Sequence, residues 1–442
     1  MKLLFPMIGL LLLAGCGSGS GSTASPAPQP AEPAKPAITP LKIKVQMARS
    51  CGGTVPSANA ELLIYNNDWQ IISRHQASAD GSFQLVPTTE ILNFSVLNKG
   101  DYNAAQEVNV HAFAQVASGD FGTLTLGSTG EGCQCAPITA IFSQASSSPL
   151  QQVRLDYDAR TSVWNSTAYN GQASFELCRH PANPRPVLTF STLDAQGEWF
   201  YQQLDTYQPE ELLDVKFSQS AGIPISYQTN IPADAVFSHY YTKHGLIAAM
   251  QADGSQLLAI DGLKDVNFVS HRANNSGMLA VENANDVTYY SAHRFNRRSN
   301  YFAPLSFKLP PPADAKALGE EFAAKWAVKP LPTSYDFSRF ADYRLATIFV
   351  AERLTDGGAL YQTLQGPLQG KMPVDLLPPG YLAPELRGTT PNVSVEVELN
   401  VIRADLSLTE HAKQLKNFYT PLPSQTERPE ELTTLGVVIW IW

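Results

Sequence analysis

From Leu41 to Leu126 apolar residues recur at every second position in short runs. Leu41-Lys42-Ile43-Lys44-Val45 alternates apolar with charged side chains, the pattern of a strand with one buried face. Ala60–Tyr65, Ser82–Val86, Phe94–Leu97, Gln106–Phe113 and Gly122–Leu126 continue it, with Asn66-Asn67-Asp68 and Asp80-Gly81 as turn signals. Asp-Gly between strand-like runs suits a hairpin, because glycine accepts positive φ.

The same pattern resumes beyond the loop Gly127–Gly132. Val153–Tyr157 and Ala173–Leu177 alternate, and Val187–Thr192 and Glu198–Leu204 bracket a hairpin turn, Asp194-Ala195-Gln196-Gly197. Strand-like runs then follow at Val236–Tyr241, Leu246–Gln251, Leu257–Ile260, Val266–His271, Met278–Glu282 and Val287–Ser291. Such spacing suits a sandwich or a few propeller blades. Leu309-Pro310-Pro311-Pro312 marks a break, after which Asp314 is placed to cap a helix from Ala315 to about Val328. Leu318, Phe322 and Trp326 give that helix one apolar stripe, and no second helix is expected. Strands return near Ala346–Arg353, Val393–Ile402 and Val437–Trp442. The expected fold is mainly β: tandem β-sandwich domains with one short packing helix near 315–328, divided as 41–127, 128–309 and 310–442.

Composition narrows the partners. The 442-residue chain carries a net charge of -9 and only 16% charged residues. Basic residues gather only at Arg294, Arg297 and Arg298, in an expected loop, whereas nucleic-acid binders present a basic face. No nucleic-acid partner is therefore expected, and no cofactor. At the N-terminus Lys2 precedes an apolar run, Leu3–Leu13, broken by Pro6 and Gly9; this is the layout of a signal peptide, too short to span a membrane stably. It closes on Leu13-Ala14-Gly15-Cys16, which resembles the lipobox of bacterial lipoproteins. The resemblance implies a signal segment at 1–16, cleavage before Cys16, and acylation of its thiol and new amine, so that the chain meets the membrane through an N-terminal lipid. Gly17 in place of an aspartate implies the outer membrane, facing either side. Residues 17–40 read as a tether: Gly17–Ser22 alternates Gly and Ser, and six prolines follow from Pro26 to Pro40, giving flexible coil and then extended polyproline II.

Gly53-Thr54-Val55-Pro56 with Ala58-Asn59-Ala60, and Ala79-Asp80-Gly81-Ser82-Phe83, resemble motifs of the carboxypeptidase regulatory-like domain. The resemblance covers 41–127 and implies a transthyretin-like β-sandwich acting as a non-catalytic spacer or binding module. Beyond Cys16 there are four cysteines, Cys51, Cys133, Cys135 and Cys178. An even count in an oxidising envelope suggests disulfides. A Cys133–Cys135 bond would strain the one-residue loop between them, which leaves Cys51 and Cys178 each bonded to one of that pair. A metal site is the alternative, although Cys-X2-Cys spacing is lacking.

The chain lacks a Gly-X-Ser-X-Gly elbow, a His-Glu-X-X-His pair, a phosphate loop and a dinucleotide fingerprint, which favours a non-enzyme. His239, His244, His271 and His293 are candidate ligands or bases, but strand positions 239 and 244 face opposite sides. Asp156 and Asp158 share a face without further oxygen ligands for calcium nearby. Glu210-Glu211 with Asp214, and Glu320-Glu321, read as solvated charges. Adjacent rings stand out more: Trp199, Tyr201, Tyr240, Tyr241, Tyr289 and Tyr290 are the candidate ligand-binding residues, since an exposed row of rings stacks on sugars or grips a protein; Tyr301-Phe302 adds another pair. The expected function is lipid-anchored, non-enzymatic binding or adhesion to protein or glycan at the cell envelope. A polysaccharide hydrolase and a periplasmic scaffold for an outer-membrane assembly are the alternatives.

Overall fold

A computed structural model of the chain describes residues 38–441 apart from 103–104, 145–149, 158–159, 166–170, 181–184, 195–198, 209–211, 218, 221, 243–244, 252–255, 261, 265, 282–283, 298–302, 327–331, 374, 388–392 and 419–428. The first eight strands are β1 (Leu41–Arg49), β2 (Thr54–Pro56), β3 (Glu61–Tyr65), β4 (Ile71–Gln76), β5 (Ser82–Leu85), β6 (Ile91–Tyr102), β7 (Ala105–Ala117) and β8 (Asp120–Thr129). They build two layers. One is the antiparallel ladder β4-β3-β6-β7. The other is β5-β1-β8, with β2 on the far end of β1. Among the described residues the layers join at a single pair, Asp101 opposite Thr129. Period-two alternation turns Leu41, Ile43 and Val45 inward while Lys42 stays exposed. They meet Phe83 and the rings of Phe94, Phe113 and Phe121, whose centroids lie 4.8–5.1 Å apart.

The Asp80-Gly81 turn forms, but it is not the hairpin that its sequence suggests. Strand β4 pairs with β3 and β5 pairs with β1, so the turn carries the chain from one layer to the other. Gly81 has φ +80°, and an added Cβ would lie 2.2 Å from the Val45 carbonyl oxygen. Close layer-to-layer approach, as well as turn geometry, thus demands glycine here.

Beyond β7 the ladder does not stop. Ala359–Gly366 pairs parallel to β7, followed in order by Leu345–Arg353, Val393–Val401, Glu431–Ile441, Ala284–Arg297, Phe268–Val281, Ala235–Thr242 and Gly245–Gln251. The chain is mainly β and sandwich-like, as expected. Among the described residues, however, one sixteen-stranded sheet draws strands from all three segments, and neither residue 127 nor residue 309 interrupts it. Two runs expected as separate strands, Val266–His271 and Met278–Glu282, fall in one fourteen-residue strand, Phe268–Val281. Arg294 and Arg297 lie on a strand rather than in a loop, and Arg294 sits 3.6 Å from Glu431; Arg298 lies outside the described residues.

Helix α1 (Pro312–Trp326) covers one face of this sheet. Leu318, Phe322 and Trp326 are buried in the main core, against the strands Ala284–Arg297 and Glu431–Ile441, as the apolar stripe predicts. The helix starts at Pro312 rather than Ala315, because proline suits the first helical position; Asp314 lies in the first turn, where it complements the dipole. A second helix, α2 (Leu408–Leu415), was not expected. Its signal is nonetheless in the sequence: Ser407 and Glu410 form a reciprocal capping box, and Ala412 and Leu415 seal the first sandwich core.

Residues 134–220 form a second sandwich. Gln172–Arg179, Gln134–Gln144 and Leu213–Phe217 make one layer; Arg160–Asn165, Leu150–Tyr157, Leu188–Asp194, Trp199–Leu204 and Gln219–Ser220 make the other. Phe142, Val153, Leu155, Phe190 and Phe217 lie in the core between them, and the strands expected to flank the Asp194–Gly197 turn pair antiparallel. Both disulfides form, as Cys51–Cys133 and Cys135–Cys178, one of the two expected arrangements. The first ties β1's end to the linker entering the second sandwich. The second bridges residues directly opposite each other on adjacent strands.

Candidate functional site

The turn between β3 and β4 is built around Asn66. Its Oδ1 accepts the N–H groups of Asp68 and Gln70, each at 2.9 Å, while its carbonyl accepts the Trp69 N–H at 3.1 Å. This tight closure forces Trp69 to φ 60°, a conformation that costs a side-chain-bearing residue about 1–2 kcal/mol. The indole is then fixed from two sides. Its Nε1–H donates to the Lys371 carbonyl at 3.0 Å, and its ring lies 5.1 Å from that of Tyr65. Lys371 in turn reaches Asp68 of the same turn at 2.6 Å.

A second strained residue stands nearby. Gln115, beside an irregularity in the β6–β7 pairing, has φ 54°. Trp69 and Gln115 are the non-glycine residues with positive φ among the described residues. Asn93 connects them: its Oδ1 accepts the Gln115 N–H at 2.8 Å, and its Nδ2 donates to the Asn66 carbonyl at 3.2 Å.

Both residues line a cleft of about 1490 Å³ between the first sandwich and the paired strands Ser334–Asp336 and Gln369–Lys371. Ile72, Val86 and Ile91 form an apolar wall although they are 63%, 70% and 56% exposed. Tyr335 lies beneath, 4% exposed, and its hydroxyl has no hydrogen-bond partner. Gly366 and Gly370 make room for it, since a Cβ on either would come 2.8 Å from that oxygen. Burial raises the pKa of the Tyr335 hydroxyl. Tyr65 is pushed up to about 12, chiefly by burial and against the opposing bond to Ser95. Both phenols are therefore neutral donors. A separate slot of about 410 Å³ along β4 and β5 shares His75 and Leu85 with the cleft's lining. Aromatic faces, amides, hydroxyls and aliphatic surface equip this site for recognition.

The rings expected to bind ligand are elsewhere. Tyr201 and Tyr240 pack with Ile260, Leu263, Val266 and Val269 in a small core, with half-buried Trp199 against it. The Tyr240 Oη accepts the Ile260 N–H at 3.0 Å. Tyr241 stacks on Phe268 at 4.7 Å, and Tyr290 is buried in the main core. Tyr201, Tyr240 and Tyr290 are therefore packing residues rather than ligand surface, because paired strands turn alternate rings toward the layer beneath; Trp199 and Tyr241 are half-buried. The side chain of Tyr289, and His244, Tyr301 and Phe302, lie outside the described residues.

Among the described residues the histidines form no group that could hold a metal, although His239 and His271 lie on paired strands. His271 Nδ1 meets Ser238 Oγ at 2.6 Å, and burial pushes its pKa down to about 3. His293 Nε2 meets Ser291 Oγ at 3.0 Å and its ring lies edge-on to Phe418. Cys135, Glu176 and Cys178 approach within 4.8 Å, but the two sulfurs are bonded to each other, so no thiolate pair is present to hold a metal. Asp156 is engaged by Arg154 at 2.7 and 2.9 Å; Asp158 lies outside the described residues, as does Cys16. Glu321 pairs with Lys325 and Arg339. The Asn66-Asn67-Asp68 turn is legible in the sequence; the signal for Trp69 is a tryptophan closing a polar turn, off any strand alternation.

No protein-family model and no curated protein matches the chain. Among solved structures it is similar to one described as "The Bacillus anthracis TIE protein", at 10% identity and a TM-score of 0.16 over 61% of this chain. The match spans 50% of that protein's length, and a score so low carries no argument. No helix among the described residues is long and apolar enough to cross a membrane.

Proposed function

We propose that this chain is a lipid-anchored envelope protein, acylated at Cys16 and held off the outer membrane by the 17–40 tether, that binds an extended protein or glycan without transforming it. The binding half of the reading rests on one observation: the two left-handed non-glycine residues among the described residues line the same cleft. Such strain persists where the surroundings over-determine it, and it gathers at ligand sites. A cleft of about 1490 Å³ exceeds the roughly 300–1,000 Å³ of a small-molecule pocket, which favours a polymer. The resemblance of residues 41–127 to a regulatory-like binding module supports the same reading.

Two measurements test it. Cells fed an alkyne-bearing palmitate should label the wild-type chain and not Cys16→Ser. The full chain purified in detergent should retain an envelope polysaccharide or protein, and Trp69→Ala should release it. Loss of label-dependence on Cys16 removes the anchor, and undiminished retention by Trp69→Ala removes the site. Release of reducing ends from a bound polysaccharide would move the reading to the hydrolase.

A further inference from the structure

Resting on that reading of the cleft, we infer that its ligand is a neutral glycan chain, with the Trp69 ring as stacking platform and Gln115 among the polar contacts. The indole N–H is already committed to Lys371 and one side of the ring rests near Tyr65. What Trp69 retains for a ligand is aromatic surface, locked in place by a backbone that no rotamer change relieves. A platform fixed in advance reduces the ordering cost of binding, and its apolar face suits the C–H face of a sugar ring. Ile72, Val86 and Ile91 supply matching exposed aliphatic surface in the same cleft.

Charge argues the same way. Lys371 is paired with Asp68 and Lys325 with Glu321. Asp336 accepts from the Ser338 N–H at 2.9 Å and from Gln369 at 3.3 Å, and Ser338 holds its carboxyl below the usual range. His75 bonds Ser73. Glu90 is the lining carboxylate without such a partner among the described residues. An anionic polymer or a charged peptide thus finds little complementary charge, whereas the amides and hydroxyls of Asn67, Thr88 and Gln115 match sugar hydroxyls. A polypeptide added along the open edge of β4 is the competing occupant.

Affinity electrophoresis of the full chain in native gels separates these cases. The probes are dextran, xylan and glucomannan, with alginate as the anionic probe and carboxymethylated casein as the unfolded polypeptide. At least one neutral polysaccharide should retard the wild-type chain, with affinity changing less than about twofold as salt rises from about 0.05 to 0.5 M. Trp69→Ala should weaken it about tenfold or more, the loss of a stacking contact of about 1.4 kcal/mol, while Trp69→Phe stays within about threefold. Val86→Lys, at an exposed position that the fold does not need, should weaken it too, and Trp440→Ala on a remote strand should not. Retardation by alginate or casein alone, abolished by Trp69→Ala, overturns the glycan while leaving the cleft as the site. Wild type and Trp69→Ala behaving alike with every probe overturns both.

Discussion

Two groups of aromatic side chains in this molecule have opposite fates. Trp199, Tyr201 and Tyr240 sit on paired strands and close a core between the second sandwich and the large sheet. Tyr65, Trp69 and Tyr335 border an open cleft, one of them in a left-handed turn and another with an unpartnered hydroxyl. Adjacent rings on strands mark a packing position, because the pleat turns every second side chain inward. A ring outside any alternation, in a backbone conformation that disfavours it, needs another reason. Tyr240→Ala is the severest test of this contrast. It should lose about 3–5 kcal/mol of stability in urea unfolding, as buried aromatic truncations do, without altering ligand retention by the protein that stays folded. A loss under about 1 kcal/mol would return Tyr240 to the surface and break the comparison.

Acid should separate the two regions next. His271 shares the inward face of its strand with Val269 and bonds Ser238, which lies beside Tyr240. Burial lowers its pKa to about 3, and the charges of His239 and Arg294 add to that. The unfolded chain takes up this proton near pH 6.5, so between about 6.5 and 3 the unfolded state binds more protons than the fold. Stability is therefore intact above about pH 6.5 and falls toward pH 3, by up to about 1.4 kcal/mol per pH unit from this one group. His111, whose pKa burial lowers to about 4, adds to the fall below pH 6.5. Urea midpoints measured between pH 7 and 4 should show the slope, and His271→Gln should flatten it. A neutral glycan carries no charge of its own, so its retention by the folded protein should stay level across the same range. A binding profile that follows the stability profile would join the two regions into one.

How much of this was legible depends on the range of the interactions. Most strands, α1 and the presence of two disulfides follow from period-two alternation, an apolar stripe and cysteine arithmetic, all local or nearly so, whereas the choice between the two open pairings does not. The sheet that crosses residues 127 and 309 does not, because the pairing of Ala359–Gly366 with β7 joins residues some 250 apart and each run reads alike whichever partner it has. Helix α2 was legible through Ser407 and Glu410, but its eight residues carry too little periodicity to stand out. The cleft was least legible. It needs Trp69, Gln115 and Tyr335, brought together by Asn93 and by the Lys371 carbonyl, and nothing in their spacing announces it.

Trp69→Ala should sit between the extremes. The indole is only half-buried, so truncation should lose about 1–2 kcal/mol of stability, well short of Tyr240→Ala. Its effect on retention should nonetheless be the larger of the two. Circular dichroism melts beside the affinity gels check both. If the two substitutions rank the same way in stability and in binding, Trp69 is a packing residue like the others.

The smallest expected effect is the sharpest. Gln115 has an exposed side chain and φ 54°, so Gln115→Gly removes no packing and relieves a strain of about 1–2 kcal/mol. Glycine's greater freedom in the unfolded chain returns about 0.5–1 kcal/mol of that. The net should be a gain of about 0.5–1 kcal/mol, read as a higher urea midpoint at unchanged slope. Retention of the ligand should fall even so, because the amide is gone. A substitution that stabilises the fold while weakening binding places the strain in the service of the site. Should Gln115→Gly gain stability with no change in binding, the left-handed glutamine is incidental, and Trp69 alone carries the contrast between cleft and core.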